Sequence, residues 1–255
     1  MELDLPTAGL DCYKSASQRA RVATESWGAT NLYCVSCKSP RLQRMPHNTS
    51  AIDYLCSACQ SSFQLKSQSR AFGGKIVDSA YSKMRLAIVE DRTPNLYILQ
   101  YDMSAWRVQT LIIIPRFAFT LAALECRKPL GPTARRAGWV GCNILLDKIP
   151  SDGRIEVIRE GQVVPSQAVR HAYDRLRPLQ ELDAEKRGWT LDVLQTVRSF
   201  ERGNFTLRDV YAHANTLAKL HPKNYHINDK IRQQLQVLRD LGVIDFLGRG
   251  AYRLL

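Results

Sequence analysis

The sequence predicts an α/β body over residues 1–183 and a smaller α+β domain over residues 184–255, for three reasons. The first part mixes helical periodicity with short apolar, β-branched runs. A charged stretch at residues 183–188 is followed by three amphipathic helical patterns and two short strands. The 255-residue chain is also 45% hydrophobic, so both parts can bury a core.

Seven segments of the first part have the periodicity of regular structure. Ser15 is placed to cap the first helix, and Ala80, Met84 and Ile88 recur at helical spacing. Apolar, β-branched runs later in this part predict buried central strands. The predicted elements are a helix over Ser15–Trp27, β segments over Ile52–Leu55 and Phe63–Lys66, a helix over Asp78–Glu90, and strands over Leu96–Tyr101, Val108–Ile114 and Arg154–Ile158.

The second part has the element order of a winged helix-turn-helix. Thr206 and Asp209 form a capping-box pattern, and Pro222 and Gly242 are placed to end the two helices that follow. The predicted elements are helices over Trp189–Phe200, Thr206–Leu220 and His226–Leu241, then strands over Val243–Leu247 and Ala251–Leu255 around a glycine turn. Winged helices bind DNA or, alternatively, other proteins.

The charge of the chain indicates a polyanionic partner. Its formal net charge is +12 and its pI is near 9.5, which makes nucleic acid the first candidate and a merely soluble basic protein the alternative. The sequence has no apolar run of about 18 residues and no glycine-rich phosphate loop. We therefore expect no membrane and no ATP among its partners. The seven cysteines are typical of a reducing compartment, so we expect a bacterial-type cytoplasmic protein, and we further expect a monomer.

Four of the seven cysteines have the spacing of a structural zinc site. The two Cys-x-x-Cys pairs are separated by 18 residues, which is typical of a four-thiolate site. Four thiolates fill the tetrahedral coordination of Zn²⁺, so the ion would be structural and not catalytic. The alternative is two unrelated turns. The predicted ligands are Cys34, Cys37, Cys56 and Cys59.

An acidic, an amide and a lysine side chain flank the second cysteine pair. Asp53 precedes Cys56 by three residues, and Gln64 and Lys66 follow Cys59. Alternate residues of a strand share a face, so Gln64 and Lys66 would project together while Leu65 points into the core. Asp53 could join Gln64 around Mg²⁺, and Lys66 could stabilise charge on an attacked phosphate. The alternative is that these are ordinary solvated surface residues.

Two further regions carry candidate DNA contacts. The glycine-rich loop before Asn143 offers guanidinium groups for phosphates or guanine edges and a tryptophan for stacking; alternatively, this tryptophan folds back onto the core. The third helix of the last part has an apolar face, and its other side turns polar residues outward. The candidates are Arg127, Arg135, Arg136 and Trp139 in the loop, Asn228, Lys230, Arg232, Gln233 and Gln236 in the helix, and Arg249 at the hairpin tip.

The chain resembles the DpnI-like family of methyl-directed restriction endonucleases over nearly its full length. The resemblance lies in both Cys-x-x-Cys pairs, in residues 127–143, in residues 224–240 and in the ending Gly248–Leu254. Asp53 with Gln64-Leu65-Lys66 resembles a variant PD-(D/E)xK nuclease core. The family implies a restriction-endonuclease-like mixed sheet with structural zinc, a C-terminal winged helix, and a type II, bacterial-type enzyme. It also implies Mg²⁺-dependent cleavage of double-stranded DNA at adenine-methylated GATC sites.

The resemblance assigns roles to the core residues. Asp53, Gln64 and the Leu65 carbonyl would hold Mg²⁺, and Lys66 would assist the attacking water. The family has glutamate where this chain has Gln64, and its proline is replaced by Ile52. Because an amide lacks the carboxylate charge, we expect weaker Mg²⁺ binding. Glu25 on the first helix offers a further carboxylate.

Two other functions remain open at the level of the sequence. The chain could be a methyl-adenine DNA-binding reader whose nuclease site is weakened or inactive, with Gln64 as the cause. It could also be a zinc-ribbon transcription regulator that uses the winged helix alone. Magnesium-dependent nicking separates the first alternative from a nuclease, and deletion of the N-terminal body tests the second.

Overall fold

The computed structural model describes residues 1–46 and 52–255, which form two compact units. The first unit comprises Met1–Gly73, Thr93–Arg116 and Gly153–Asp174, and the second comprises Gly74–Arg92, Phe117–Asp152 and Arg175–Leu255. The predicted division at residues 183 and 184 stays a prediction. No helix in the described ranges is both long and apolar enough to cross a membrane.

The described residues form seven α-helices and thirteen strands. The helices are α1 Ala16–Asn31, α2 Tyr81–Val89, α3 Ser166–Leu176, α4 Ala184–Arg198, α5 Leu207–Tyr211, α6 Ala214–Leu220 and α7 Ile227–Asp240. The strands are β1 Gln43–Arg44, β2 Tyr54–Leu55, β3 Ser62–Gln68, β4 Lys75–Ala80, β5 Asn95–Asp102, β6 Arg107–Ile114, β7 Leu124–Cys126, β8 Gly141–Leu145, β9 Ile155–Arg159, β10 Gln162–Val163, β11 Asn204–Thr206, β12 Ile244–Gly248 and β13 Ala251–Leu254.

A seven-stranded mixed sheet forms the centre of the first unit. Its strand order is β1-β2-β3-β5-β6-β9-β10, with β3 and β5 parallel and the other neighbours antiparallel. Strands β5 and β6 are buried along most of their length, as their continuous apolar runs predict. The structure therefore confirms both as central strands and confirms the mixed α/β body.

Helix α1 packs closely against β2 and β3. The Tyr54 hydroxyl donates to the Glu25 carbonyl at 2.8 Å, and the Thr24 and Ser67 hydroxyls lie 3.1 Å apart. A Cβ atom at Gly28 would lie 2.4 Å from the Tyr54 hydroxyl oxygen, so only glycine permits this approach. This packing fixes α1 beside the hairpin that carries Asp53.

The second unit contains a winged helix and a separate three-stranded sheet. Helices α4 to α7 enclose an apolar core that includes Trp189, Val193, Leu235 and Leu238, and β11, β13 and β12 form the adjoining sheet. The predicted capping box at Thr206 is present, because its hydroxyl accepts the Asp209 amide while the Asp209 carboxylate accepts the Thr206 amide. The predicted winged-helix architecture is therefore confirmed. Strands β4, β8 and β7 form the second sheet of this unit.

The structure corrects three predicted helix boundaries. Residues 78–80 belong to β4, where exposed and buried side chains alternate, and α2 begins only at Tyr81. Helix α4 begins at Ala184 instead of Trp189, because the Asp183 side chain caps it. The predicted helix over Thr206–Leu220 is interrupted between α5 and α6, where the His213 amide donates to the Val210 carbonyl in a tighter turn.

Candidate functional site

The four predicted zinc ligands come together in one cluster. Their sulfur atoms all lie within 4.8 Å of one another. The Sγ atoms of Cys34 and Cys59 are 3.6 Å apart, as are those of Cys37 and Cys56. Zn–S bonds of about 2.3 Å in a tetrahedron place sulfur atoms about 3.8 Å apart. The cysteine cluster (Cys34, Cys37, Cys56 and Cys59) therefore fits a structural Zn²⁺.

The backbone of each cysteine pair is folded to present its thiols. The Ser39 amide donates to the Cys37 sulfur at 3.4 Å, and the Gln60 amide donates to the Cys56 carbonyl at 2.9 Å with Gln60 at a φ of +58°. Burial raises the pKa of the Cys56 thiol, but hydrogen bonds from the amides of Cys59 and Ala58, together with those from the Cys37 and Cys59 side chains, lower this pKa to about 6. A thiolate, the form that binds zinc, is thereby favoured at Cys56.

Helix α3 fastens the first cysteine pair to the sheet. The Arg170 guanidinium donates to the carbonyls of Cys34 and Cys37 at 3.1 and 2.9 Å, and it lies 4.9 Å from the Tyr33 ring centroid. The Ser36 hydroxyl donates to the Tyr173 hydroxyl at 2.9 Å. No local pattern in the sequence indicates these partners, because more than 130 residues separate Arg170 from the cysteines that it contacts.

The second cysteine pair lies in the connection between β2 and β3, with Asp53 and Gln64 on either side of it. The Asp53 carboxylate accepts the Leu65 amide at 2.8 Å, and the Asp53 amide donates to the Phe63 carbonyl at 2.9 Å. Tyr54 pairs with Phe63 in the antiparallel register. Asp53 directly precedes this pair, and its carboxylate reaches the backbone of β3 at Leu65, the residue after Gln64.

The other face of β3 packs into the protein. The Phe63 ring is fully buried and stacks on Tyr97 with centroids 5.7 Å apart. Leu65, two residues along the same strand, is half-buried, and the expectation that it points into the core stays a prediction. Gln64 and Lys66 are half-buried as well.

The electrostatic surroundings of Asp53 combine opposing effects. Burial raises the pKa of its carboxyl, and the Leu65 amide and the Lys66 charge only partly offset this. The charge of Glu25 also acts to raise the pKa of Asp53. Glu25 forms ion pairs with Arg44 at 2.5 Å and with Arg21 at 3.8 Å.

The donor set at the Asp53 hairpin suits a hard cation. Asp53 supplies a carboxylate, Gln64 an amide oxygen and Leu65 a backbone carbonyl, and Mg²⁺ prefers oxygen ligands of these kinds. A cation here would also oppose the rise in the pKa of Asp53. The residues present therefore fit Mg²⁺, although with less negative charge than two carboxylates would provide.

The loop between β7 and β8 is closed at its base by backbone hydrogen bonds. The Arg127 amide donates to Gly141 at 3.0 Å and the Leu130 amide to Trp139 at 2.9 Å. The side chains of Arg127, Arg135 and Arg136 are exposed. The Trp139 ring is half-buried against Gly141, and the Arg136 guanidinium lies 4.8 Å from its centroid. The three arginines are thus exposed and Arg136 lies over the Trp139 ring, while contact of these residues with DNA stays a prediction.

Helix α7 has the two faces that its sequence predicts. Ile231, Leu235 and Leu238 are buried in the core of the winged helix. The opposite face is polar: Asn228, Arg232, Gln233 and Gln236 are exposed and Lys230 is half-buried. This face can present amide and guanidinium groups to the major groove.

The predicted reader at the hairpin tip is also exposed. Arg249 lies between Gly248 and Gly250, and all three have positive φ. The glycines permit the tight turn between β12 and β13 that displays the arginine. In winged helices, such a hairpin lies beside the DNA backbone when the recognition helix is in the groove.

Two family models match the chain. The model described as the Dam-replacing family matches residues 1–182, and the model described as the Dam-replacing HTH domain matches residues 185–254. These matches agree with the resemblance seen in the sequence, with the mixed sheet and with the winged helix. They imply a nuclease whose partner is double-stranded DNA.

Proposed function

The chain belongs to the Dam-replacing family, and on that premise we propose that it is a type II methyl-directed restriction endonuclease. It hydrolyses phosphodiester bonds of double-stranded DNA at adenine-methylated GATC sites, with Mg²⁺ as cofactor and zinc as a structural ion. The observation that carries this proposal is the hydrogen bond at 2.8 Å that holds the Asp53 carboxylate to Leu65, beside Gln64 and Lys66.

Each residue of the hairpin has a distinct part in the proposed reaction. Asp53, the Gln64 side-chain oxygen and the Leu65 carbonyl hold Mg²⁺. When bound, the ion neutralises charge on the phosphate and makes water a stronger nucleophile. Lys66, on the same face of β3 as Gln64, orients the attacking water and stabilises the charge that develops on the phosphate. The Leu65 amide fixes the direction of the Asp53 carboxylate.

Recognition of the site is assigned to the second unit. Gln233, Gln236 and Arg232 on α7 can make paired hydrogen bonds with adenine and guanine edges, and Arg249 contacts the backbone or minor groove. The exposed arginines of the β7–β8 loop provide phosphate contacts. We further propose that the enzyme acts as a monomer in a bacterial-type cytoplasm and requires no ATP.

Gln64 is the residue on which the level of activity depends. Gln64→Glu is expected to lower the magnesium concentration for half-maximal cleavage about ten-fold, because it adds a carboxylate ligand to the ion. The measurement is the rate of cleavage of a methylated duplex as a function of magnesium concentration.

The matched control for this change is Gln162→Glu, which adds the same charge on exposed strand β10 at the opposite edge of the sheet. We expect its magnesium dependence to equal that of the wild type. Equal shifts in both variants, or none in Gln64→Glu, would contradict the assignment of Gln64 to the metal site.

A methyl-adenine reader with a failed nuclease site is the second candidate function. The observation that favours it is the uncharged Gln64 together with the pairing of Glu25 to Arg44 and Arg21, which leaves Asp53 as the one carboxylate of the proposed ligand set. This candidate predicts selective binding without cleavage by the wild type, and gain of cleavage in Gln64→Glu.

A further inference from the structure

Tyr225 is the most exposed large hydrophobic residue in the described ranges. Its side chain is 89% exposed, whereas the next values are 59% at Val77 and Met103. Within the part of the chain that the structure describes, its ring makes no hydrogen bond and no ring contact. Tyrosine is enriched at interaction surfaces because its ring is apolar and its hydroxyl is polar, so an exposed tyrosine on a DNA-binding domain is a candidate contact.

The backbone that carries Tyr225 is firmly held although its ring is exposed. The Asn224 amide donates to the His221 carbonyl at 3.0 Å, and the Asn224 side chain accepts the His226 amide at 2.8 Å. His221 itself stacks on the buried Trp189 ring at 3.8 Å and hydrogen-bonds the Asp192 carboxylate at 2.9 Å. Ordering the ring on DNA would therefore need little rearrangement of the backbone.

The position of Tyr225 in the fold directs it toward base edges. It lies two residues before Ile227, where α7 begins. In helix-turn-helix domains, the residues at the N-terminus of the recognition helix contact the bases. Polar residues such as Asn228 and Arg232 share this end of α7 and are also exposed.

We infer that the Tyr225 ring reads a methyl group in the major groove of the DNA site. The inference rests on the proposed function, in which α7 enters this groove. The N6-methyl group of modified adenine and the 5-methyl group of thymine both lie there, and apolar side chains recognise such groups. The proposed readers on α7 supply hydrogen bonds, so Tyr225 adds the apolar contact that they lack.

The test uses the full-length chain without magnesium and compares the ratio of its dissociation constants for duplexes that have or lack one methyl group. Dissociation constants are measured for GATC duplexes with and without N6-methyladenine, and with deoxyuridine in place of thymine. In Tyr225→Ala, we expect the preference for one of these methyl groups to fall about four-fold, the value of one buried methyl. Tyr225→Phe should keep the preference, because the aromatic face remains.

The two arms identify which methyl group is read. If Tyr225→Ala loses preference only between duplexes with and without N6-methyladenine, Tyr225 contacts N6-methyladenine. If it loses preference only between duplexes with thymine and with deoxyuridine, Tyr225 contacts thymine. Unchanged ratios in Tyr225→Ala would overturn the inference, even if overall affinity fell. Met103→Ala removes a comparably apolar, exposed side chain from the β5–β6 turn and should change neither ratio.

Failure of the inference is distinguishable from failure of the proposed function. If the wild type shows no preference for methylated duplexes, the methyl-directed function is wrong, while the thymine arm still tests Tyr225. Suppose instead that the wild type prefers methylated DNA, and that Tyr225→Ala keeps both this preference and the preference for thymine in full. Only the inference about Tyr225 is then wrong.

Discussion

Asp53→Asn is expected to reduce DNA cleavage about 10³-fold while duplex affinity stays within about two-fold of the wild type. Asparagine keeps an oxygen that can accept the Leu65 amide, so the hairpin should retain its geometry. It removes the charge that we propose holds Mg²⁺. Lys66→Ala is expected to act similarly, since it removes the cation that we propose stabilises the developing charge on the phosphate. Cleavage of a labelled methylated duplex and its gel shift measure the two effects separately.

The control for the charge change is Asp11→Asn, which alters an exposed aspartate in a short 3₁₀ helix near the N-terminus. It should cleave at the wild-type rate. Full cleavage by Asp53→Asn, or by Lys66→Ala, would remove that residue from the mechanism. Equal loss of binding and cleavage would instead indicate that the substitution damages the fold.

Loss of the zinc ion is expected to have the largest effect on stability. The wild type should contain one zinc ion per chain by elemental analysis, and Cys56→Ser should contain none. We expect the melting temperature of this variant to fall on the order of 10 °C, because structural zinc contributes folding free energy directly. Cleavage should be lost too, since Asp53 and Gln64 flank the second cysteine pair.

Cys126→Ser is the matched control, because Cys126 is exposed and lies outside the cysteine cluster. It should keep both its zinc and its melting temperature. Wild-type stability in a zinc-free Cys56→Ser variant would contradict a structural role for the ion. An equal fall in melting temperature in Cys56→Ser and Cys126→Ser would show that the effect belongs to cysteine substitution in general.

The parts of the fold that follow from local patterns could be predicted from the sequence. The spacing of the cysteine pairs predicted the cluster because each Cys-x-x-Cys turn is a local structure. The apolar runs of β5 and β6 and the amphipathic period of α7 likewise reflect burial of single elements. The winged helix followed from the order of such elements.

Features that depend on distant partners could not be predicted in this way. Strand β4 pairs with β8, more than 60 residues later, and its last residues, 78–80, otherwise fit a helix start. Arg170 holds the first cysteine pair from a remote helix. Trp139 stood in a glycine-rich loop with no visible partner in sequence, yet its ring packs beside Gly141 under Arg136.

The proposed site was only partly accessible to sequence reasoning. The alternation along β3 predicted that Gln64 and Lys66 share a face, but not that the Asp53 carboxylate binds the Leu65 amide. Glu25 was noted as a spare carboxylate, whereas its ion pair with Arg44 depends on how α1 lies beside the hairpin. The exposure of Tyr225 required the turn before α7 to be placed.

The most direct test of the central claim is digestion of one plasmid prepared with and without adenine methylation at GATC, in the presence and absence of magnesium. We predict discrete fragments from the methylated plasmid with magnesium, and intact DNA under the other three conditions. A gel shift restricted to methylated DNA, with no magnesium-dependent cleavage at any enzyme concentration, would contradict the nuclease and establish a methyl-adenine reader instead.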